Sequence, residues 1–197
     1  MNELLSKIDS RTAKVGIIGL GYVGLPLVLR FSEEGFQTVG FDIDKGKVKK
    51  LNNGETYIKH ISANRIKSLL KNGFNATDNF SKINKIDCVI ICVPTPLGAH
   101  NEPNLNYIRA TLQTIKPFLR KNQLLILEST TYPGTTEEII LPYLKKFKVG
   151  KNFFLVYSPE REDPGNINFS NEKIPKVVGG YTSKCLELGS ELYSLMG

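Results

Sequence analysis

The sequence predicts a doubly wound α/β fold, a mostly parallel sheet with helices on both faces. Three observations carry this. Residues 14–42 (KVGIIGLGYVGLPLVLRFSEEGFQTVGFD) run apolar strand, glycine turn, apolar helix and second strand, and close on a carboxylate. Cys88 to Val93 (CVIICV) and Leu124 to Glu128 (LLILE) are short apolar runs, the pattern of parallel strands buried on both faces. The helices expected between strands have lengths suited to right-handed crossovers.

Within the first unit, Gly19 and Gly21 let the backbone turn tightly off the strand and approach a pyrophosphate, and Gly24 lets the helix pack close against the sheet. Tyr22 and Val23 complete the turn, where amide groups at the helix start face phosphates. Asp42 ends the second strand, placed to accept hydrogen bonds from both ribose hydroxyls of an adenosine and to repel the 2′-phosphate of NADP. The cofactor this predicts is NAD, although Lys45, Lys47, Lys49 and Lys50 just after Asp42 could tolerate an extra phosphate. The competing reading is a tight strand-to-helix turn with no ligand. The preceding strand, following helix and distal acid are the context that the glycine motif needs.

With 197 residues, 41% hydrophobic and 23% charged, the chain suits one well-buried α/β domain and is too short for two large ones. Residues 1–12 read as a short amphipathic arm without a signal-peptide core, and residues 13–197 as a dinucleotide-binding domain. No apolar run approaches a membrane span. Three cysteines, Cys88, Cys92 and Cys185, suggest no disulfide framework and favour a reducing, cytoplasmic setting. A net charge of +7 and a pI near 9.2 fit a lysine-rich solvated surface or an anionic cofactor and substrate. Nucleic acid ranks last, because the lysines are not interleaved with aromatics. His60 and His100 have no ligand-spaced neighbours, so no metal site is expected.

The later elements follow in order. Asp44 caps a helix to about Leu51, and residues 62–72 form another, with Ile66, Leu69 and Leu70 on one side. Phe74 to Thr77 is a brief strand, and Asp78 opens a short turn of helix. Leu105 to Leu119 reads as a helix with Leu105, Ile108, Leu112 and Ile115 on one face. Thr135 to Phe147 reads as a helix entered through a Thr135/Glu138 capping box and kinked at Pro142. Phe153 to Tyr157 is a strand, and Lys176 to Val178 a last short one closed by Gly179 and Gly180. Residues 183–196 are helical, with Leu186, Leu188, Leu192 and Leu195 apolar. The arrangement is Rossmann-like, and the loops Pro94-Thr95-Pro96, 129–134 (STTYPG) and 158–161 (SPER) fall at carboxyl ends of strands, where ligands bind in open α/β sheets.

These loops hold the candidate chemistry. Val93 and Thr95 could turn an amide or a hydroxyl toward the cofactor, or form only a proline-bounded turn. Ser129 and Thr130 lie one strand further on, where the nicotinamide end of an extended dinucleotide would reach; otherwise they are capping groups for the next helix. Glu160, between Pro159 and Arg161, could act as a general base through a water, or pair with Arg161 on an exposed loop. Cys88 and Cys92 are four apart in a strand and share a face, so they read as core rather than as nucleophiles.

Six ordered motifs together resemble the nucleotide-sugar 6-dehydrogenases, the UDP-glucose/GDP-mannose dehydrogenase family, which oxidise the C6 alcohol of a UDP- or GDP-sugar to a carboxylate. They are residues 19–27 (GLGYVGLPL), 41–44 (FDID), 93–97 (VPTPL), 128–136 (ESTTYPGTT), 158–165 (SPEREDPG) and 173–180 (KIPKVVGG). The resemblance implies two successive hydride transfers to two NAD molecules, through a thiohemiacetal and then a thioester on a cysteine. It implies that Asp42 and Lys47 hold the adenosine ribose side and that Val93, Thr95 and Thr130 line the cofactor. It further implies that Thr130 and Glu160 face the reacting carbon, with Glu160 activating or orienting water and Arg161 near the substrate.

The sequence also departs from the family. The family's nucleophile lies in a downstream Gly-x-Cys-[Phe or Leu]-Pro-Lys segment, and none of the three cysteines has that context. Its lysine and asparagine partners, the long central helix that makes the dimer, and the UDP-binding domain have no counterpart either. The expectation is the amino-terminal cofactor domain of a longer, homodimeric protein, inactive alone. The 158–165 motif looks more like the branch acting on UDP-N-acetylhexosamines, with UDP-N-acetylglucosamine ahead of its mannosamine epimer; Pro164 stands where the UDP-glucose branch carries a second glutamate. The alternatives are a UDP-glucose enzyme, a hydroxyacid or sugar-phosphate dehydrogenase with the same first domain, and a redox-inert NAD-binding regulatory module.

Overall fold

The computed structural model describes residues 3–98, 102–159 and 176–196. Seven strands form one sheet: β1 (Lys14–Ile18), β2 (Gln37–Phe41), β3 (Asn75–Thr77), β4 (Cys88–Ile91), β5 (Leu124–Leu127), β6 (Phe154–Tyr157) and β7 (Gly179–Gly180). Their order is β3-β2-β1-β4-β5-β6-β7, and every pairing is parallel except β6 with β7. The order reverses between β1 and β4, which opens a crevice at the carboxyl ends of those two strands.

Alternation along the strands sets the layers. Val15, Ile17, Cys88, Ile90, Leu124, Ile126, Phe154 and Val156 face one core, shared with α1 (Glu3–Asp9), α2 (Gly24–Glu33), α3 (Lys45–Asn52), α4 (Ala63–Lys71) and α6 (Ser183–Ser194). Ile18, Val89, Ile91, Leu125, Leu127 and Leu155 face a second core, closed by α5 (Asn106–Ile115) through Ile108, Leu112 and Ile115. Successive side chains of a strand point to opposite faces, so unbroken apolar runs supply both layers at once.

Local chemistry shapes the ends. Asp44 accepts the amides of Gly46 and Lys47 and caps α3, as expected, and Ser62 accepts that of Arg65 and caps α4. The arm is itself helical: Leu4 and Ile8 of α1 are buried in the first core, against α6.

Several elements differ from expectation. Asn79, not Asp78, caps a 3-10 segment at Phe80–Lys85. Helix α5 stops at Ile115 and tightens into a 3-10 turn at Lys116–Phe118, because Pro117 has no amide to donate. The helix expected over residues 135–147 is a wide π turn at Thr136–Ile140 followed by a 3-10 turn, Leu141–Leu144, that contains Pro142. No capping box forms there. Thr135 is already in right-handed helical conformation, and its hydroxyl donates to the Tyr132 carbonyl at 2.8 Å. The last strand is Gly179–Gly180 rather than Lys176 to Val178. A Cβ on Gly180 would lie 2.1 Å from the Leu186 nitrogen, so α6 approaches β7 through backbone, and the Leu186 side chain is exposed rather than packed.

Candidate functional site

The glycine turn follows β1 at the crevice, and each glycine there answers a different constraint. Gly19 has φ +93°, and a Cβ on it would lie 2.6 Å from the Cys92 carbonyl oxygen at the end of β4. Gly24, the first residue of α2, lies so close to the turn that a Cβ would come within 1.8 Å of the Gly19 carbonyl oxygen. At Gly21 a Cβ would meet no protein atom within 4 Å, so packing of the fold does not demand glycine there. Helix α2 starts after Val23 without a side-chain cap, which leaves its amino end suited to an anion. Tyr22 is exposed at the same turn, its ring 6.1 Å from that of His60.

Asp42 ends β2 beside the turn. Its Oδ2 accepts the Leu20 amide at 2.9 Å and its Oδ1 the Asp44 amide at 2.9 Å. Two lone-pair directions of the carboxylate remain for hydroxyl donors. The Lys47 ammonium lies 3.7 Å from Oδ2 and 5.8 Å from the centre of the Tyr57 ring, and Lys45 lies 3.9 Å from Asp78. Lys47 thus faces Asp42 itself, and Lys45 faces Asp78. Glycine turn, open space and a half-satisfied acid together fit a dinucleotide with free ribose hydroxyls.

The other carboxyl-end loops are tied to each other. The Ser129 hydroxyl donates to the Val93 carbonyl at 2.9 Å, bracing the end of β5 against the end of β4 rather than capping a helix. Thr95 is half-buried on the first loop, and Thr130 is exposed on the second. Glu160 and Arg161, named from the sequence, lie outside the described residues. Cys88 and Cys92 are both buried in the first core. Burial, with a smaller contribution from Asp87, pushes the Cys88 thiol up, so it is a poor nucleophile.

Contacts of two residues, Glu128 and Tyr57, had no signal in the sequence. Glu128, buried at the end of β5, takes a hydrogen bond from the Tyr193 hydroxyl at 2.5 Å and pairs with Lys176. The Tyr57 hydroxyl donates to the Leu20 carbonyl at 2.5 Å. Neither pairing follows from periodicity or motif spacing, because the partners come from separate elements.

Residues 13–196 match the UDP-glucose/GDP-mannose dehydrogenase family, NAD binding domain. The chain belongs to that family. Its cofactor is NAD. Among similar proteins, CapL of Staphylococcus aureus is 37% identical over 183 residues, covering 91% of this chain and 42% of CapL. The UDP-N-acetyl-D-glucosamine 6-dehydrogenase of Pseudomonas aeruginosa is 38% identical over 183 residues, covering 91% of this chain and 43% of that protein. The solved UDP-D-ManNAc dehydrogenase of Pyrococcus horikoshii superposes with a TM-score of 0.83 at 32% identity, over 93% of this chain and 44% of that one. The NAD-binding domain seen here therefore spans less than half the length of these relatives.

Proposed function

We propose that this chain is the cofactor half of an NAD-dependent dehydrogenase that oxidises the C6 alcohol of a UDP-N-acetylhexosamine, UDP-N-acetylglucosamine first, to the uronate, a precursor for surface polysaccharide. The observation that carries this reading is the open space at Gly21 beside the Asp42 carboxylate, at the crevice where the strand order reverses between β1 and β4. Gly19, Gly21, Tyr22, Val23 and Gly24 receive the pyrophosphate, and Asp42 and Lys47 the adenosine ribose. Val93, Thr95 and Thr130 line the path to the nicotinamide, and Glu160 and Arg161 face the sugar. Bound NAD supplies the hydride acceptor; this chain binds it, orients it and presents Asp42 to the ribose.

Similarity to proteins named for UDP-N-acetylglucosamine and UDP-N-acetylmannosamine supports the substrate class. The nucleophilic cysteine, the UDP site and the homodimer contact belong to sequence outside this chain. The chain alone is expected to bind NAD and to form no NADH from UDP-N-acetylglucosamine, followed by absorbance at 340 nm. In a protein that joins it to a half bearing the Gly-x-Cys-x-Pro-Lys segment, kcat/KM is expected to be higher for UDP-N-acetylglucosamine than for UDP-glucose. NADH formation by the isolated chain, or a preference for UDP-glucose, overturns the reading.

A further inference from the structure

We infer that Tyr57, which lies in none of the six motifs, is a positioning residue for NAD: its hydroxyl fixes the peptide that presents the Gly21 amide to the pyrophosphate. Leu20 lies between the two glycines of the turn and is held from both sides. Its amide donates to Asp42 Oδ2 at 2.9 Å, and its carbonyl accepts the Tyr57 hydroxyl at 2.5 Å. That carbonyl belongs to the same planar trans peptide as the Gly21 N–H, and in such a peptide the two groups point in opposite directions. Pinning the carbonyl on the Tyr57 side therefore aims the Gly21 amide away from it. Asp42 sets one peptide of the turn and Tyr57 sets the next.

The residue is itself anchored. Its neighbours Ile58 and Ile61 are buried at 1% and 2% exposure, and the Thr56 hydroxyl accepts the Ile58 amide at 3.2 Å. Lys47, 5.8 Å from the Tyr57 ring centre and 3.7 Å from Asp42, links the phenol to the ribose carboxylate. Burial first, then Asp42 and Asp44, push the phenol pKa up, so the hydroxyl stays a donor across the physiological range. A fixed donor geometry matters because amides already aimed at an anion need no reordering when it binds.

This inference rests on NAD binding and not on the identity of the sugar. The test uses the 197-residue chain titrated with NAD and ADP-ribose by calorimetry and with adenosine by ligand-observed NMR. Tyr57→Phe keeps the ring beneath Lys47 and removes only the hydroxyl. It is expected to weaken NAD and ADP-ribose by about three- to tenfold, the usual range for one hydrogen bond, and to leave adenosine unchanged. Tyr57→Ala also removes the ring and is expected to weaken adenosine as well. Wild-type NAD affinity in Tyr57→Phe overturns the positioning role, and so does an equal loss for adenosine, which marks a general structural effect. No NAD binding by the wild-type chain overturns the cofactor assignment and this inference together.

Discussion

Asp42 and Asp87 are buried to nearly the same extent, 7% and 6% exposed, yet they sit at opposite edges of the sheet and are used differently. Asp87, just before β4 at the amino edge, accepts the Lys14 amide at 3.0 Å and the Arg120 guanidinium at 2.8 Å, with Lys7 at 3.7 Å. Around it the edge closes on itself. Arg120 also donates to the carbonyls of Asn84 and Ile86, and the Gln123 amide donates to those of Ile83 and Ile86. Asp42, at the carboxyl edge, accepts two backbone amides that shape the glycine turn, with Lys47 at 3.7 Å, so the two acids carry the same number of close partners. Tyr22, Ile43, Leu97 and Tyr132 are exposed in loops that follow strands at that same edge. The contrast teaches that burial alone does not mark a functional acid. What separates the two is what their partners hold: those of Asp87 tie the amino edge together, and those of Asp42 shape the glycine turn at the carboxyl edge, where ligands bind in open α/β sheets.

The largest expected effect is at the amino edge. Asp87→Ala leaves Arg120 and the Lys14 amide without their acceptor and is expected to cost about 2–4 kcal/mol in urea unfolding. NAD affinity of the folded variant should match wild type, and a loss there would break the contrast. Asp42→Ala should do the reverse: NAD binding about 10- to 100-fold weaker by calorimetry, with NADP no longer disfavoured and a smaller loss of stability than for Asp87→Ala. Equal stability losses would mean that Asp42 is structural as well. Gly21→Ala sharpens the point, because its Cβ meets no protein atom. Roughly tenfold weaker NAD binding with an unchanged melting temperature is expected, and unchanged binding would remove the pyrophosphate from this turn.

The smallest effect concerns Cys88, next to Asp87. Burial, then Asp87, raise its thiol pKa in the folded chain, with Arg120 opposing. The unfolded thiol ionises near about pH 8.5, so the folded state binds the extra proton above that point. Its contribution is fully present below about pH 8.5 and is lost as pH rises, by about 1 kcal/mol at about pH 9.5. Cys88→Ala should flatten stability against pH over that alkaline range relative to wild type, measured by urea unfolding. An identical slope in the two proteins would count against a buried, protonated thiol.

Much of this was legible in the residues, and the limits have physical causes. The turn from Gly19 to Gly24 is local: the tight turn expected at Gly19 has φ +93°, and the close packing expected at Gly24 agrees with the 1.8 Å contact a Cβ would make. The cap at Asp44 was readable because it bonds amides only two and three residues away. At residues 135–144 the same reasoning failed: Thr135 has the residue type of a cap, but its backbone is already helical and its hydroxyl turns back to Tyr132. Leu186 is apolar, but it lies two residues before Leu188 and so on the other side of α6 from Leu188 and Leu192, which are buried.

By itself the sequence determined the alternation of strands and helices, the dinucleotide turn and the acid that follows it, because periodicity and short-range spacing act along the chain. The tertiary structure alone decided that α1 docks on α6, that Arg120 and Lys7 close Asp87, that Ser129 braces Val93, and that Tyr57 holds Leu20. Each of these joins residues far apart in sequence. Their meeting depends on which layer a side chain enters and which way it points, and the packing of helices on the sheet settles both.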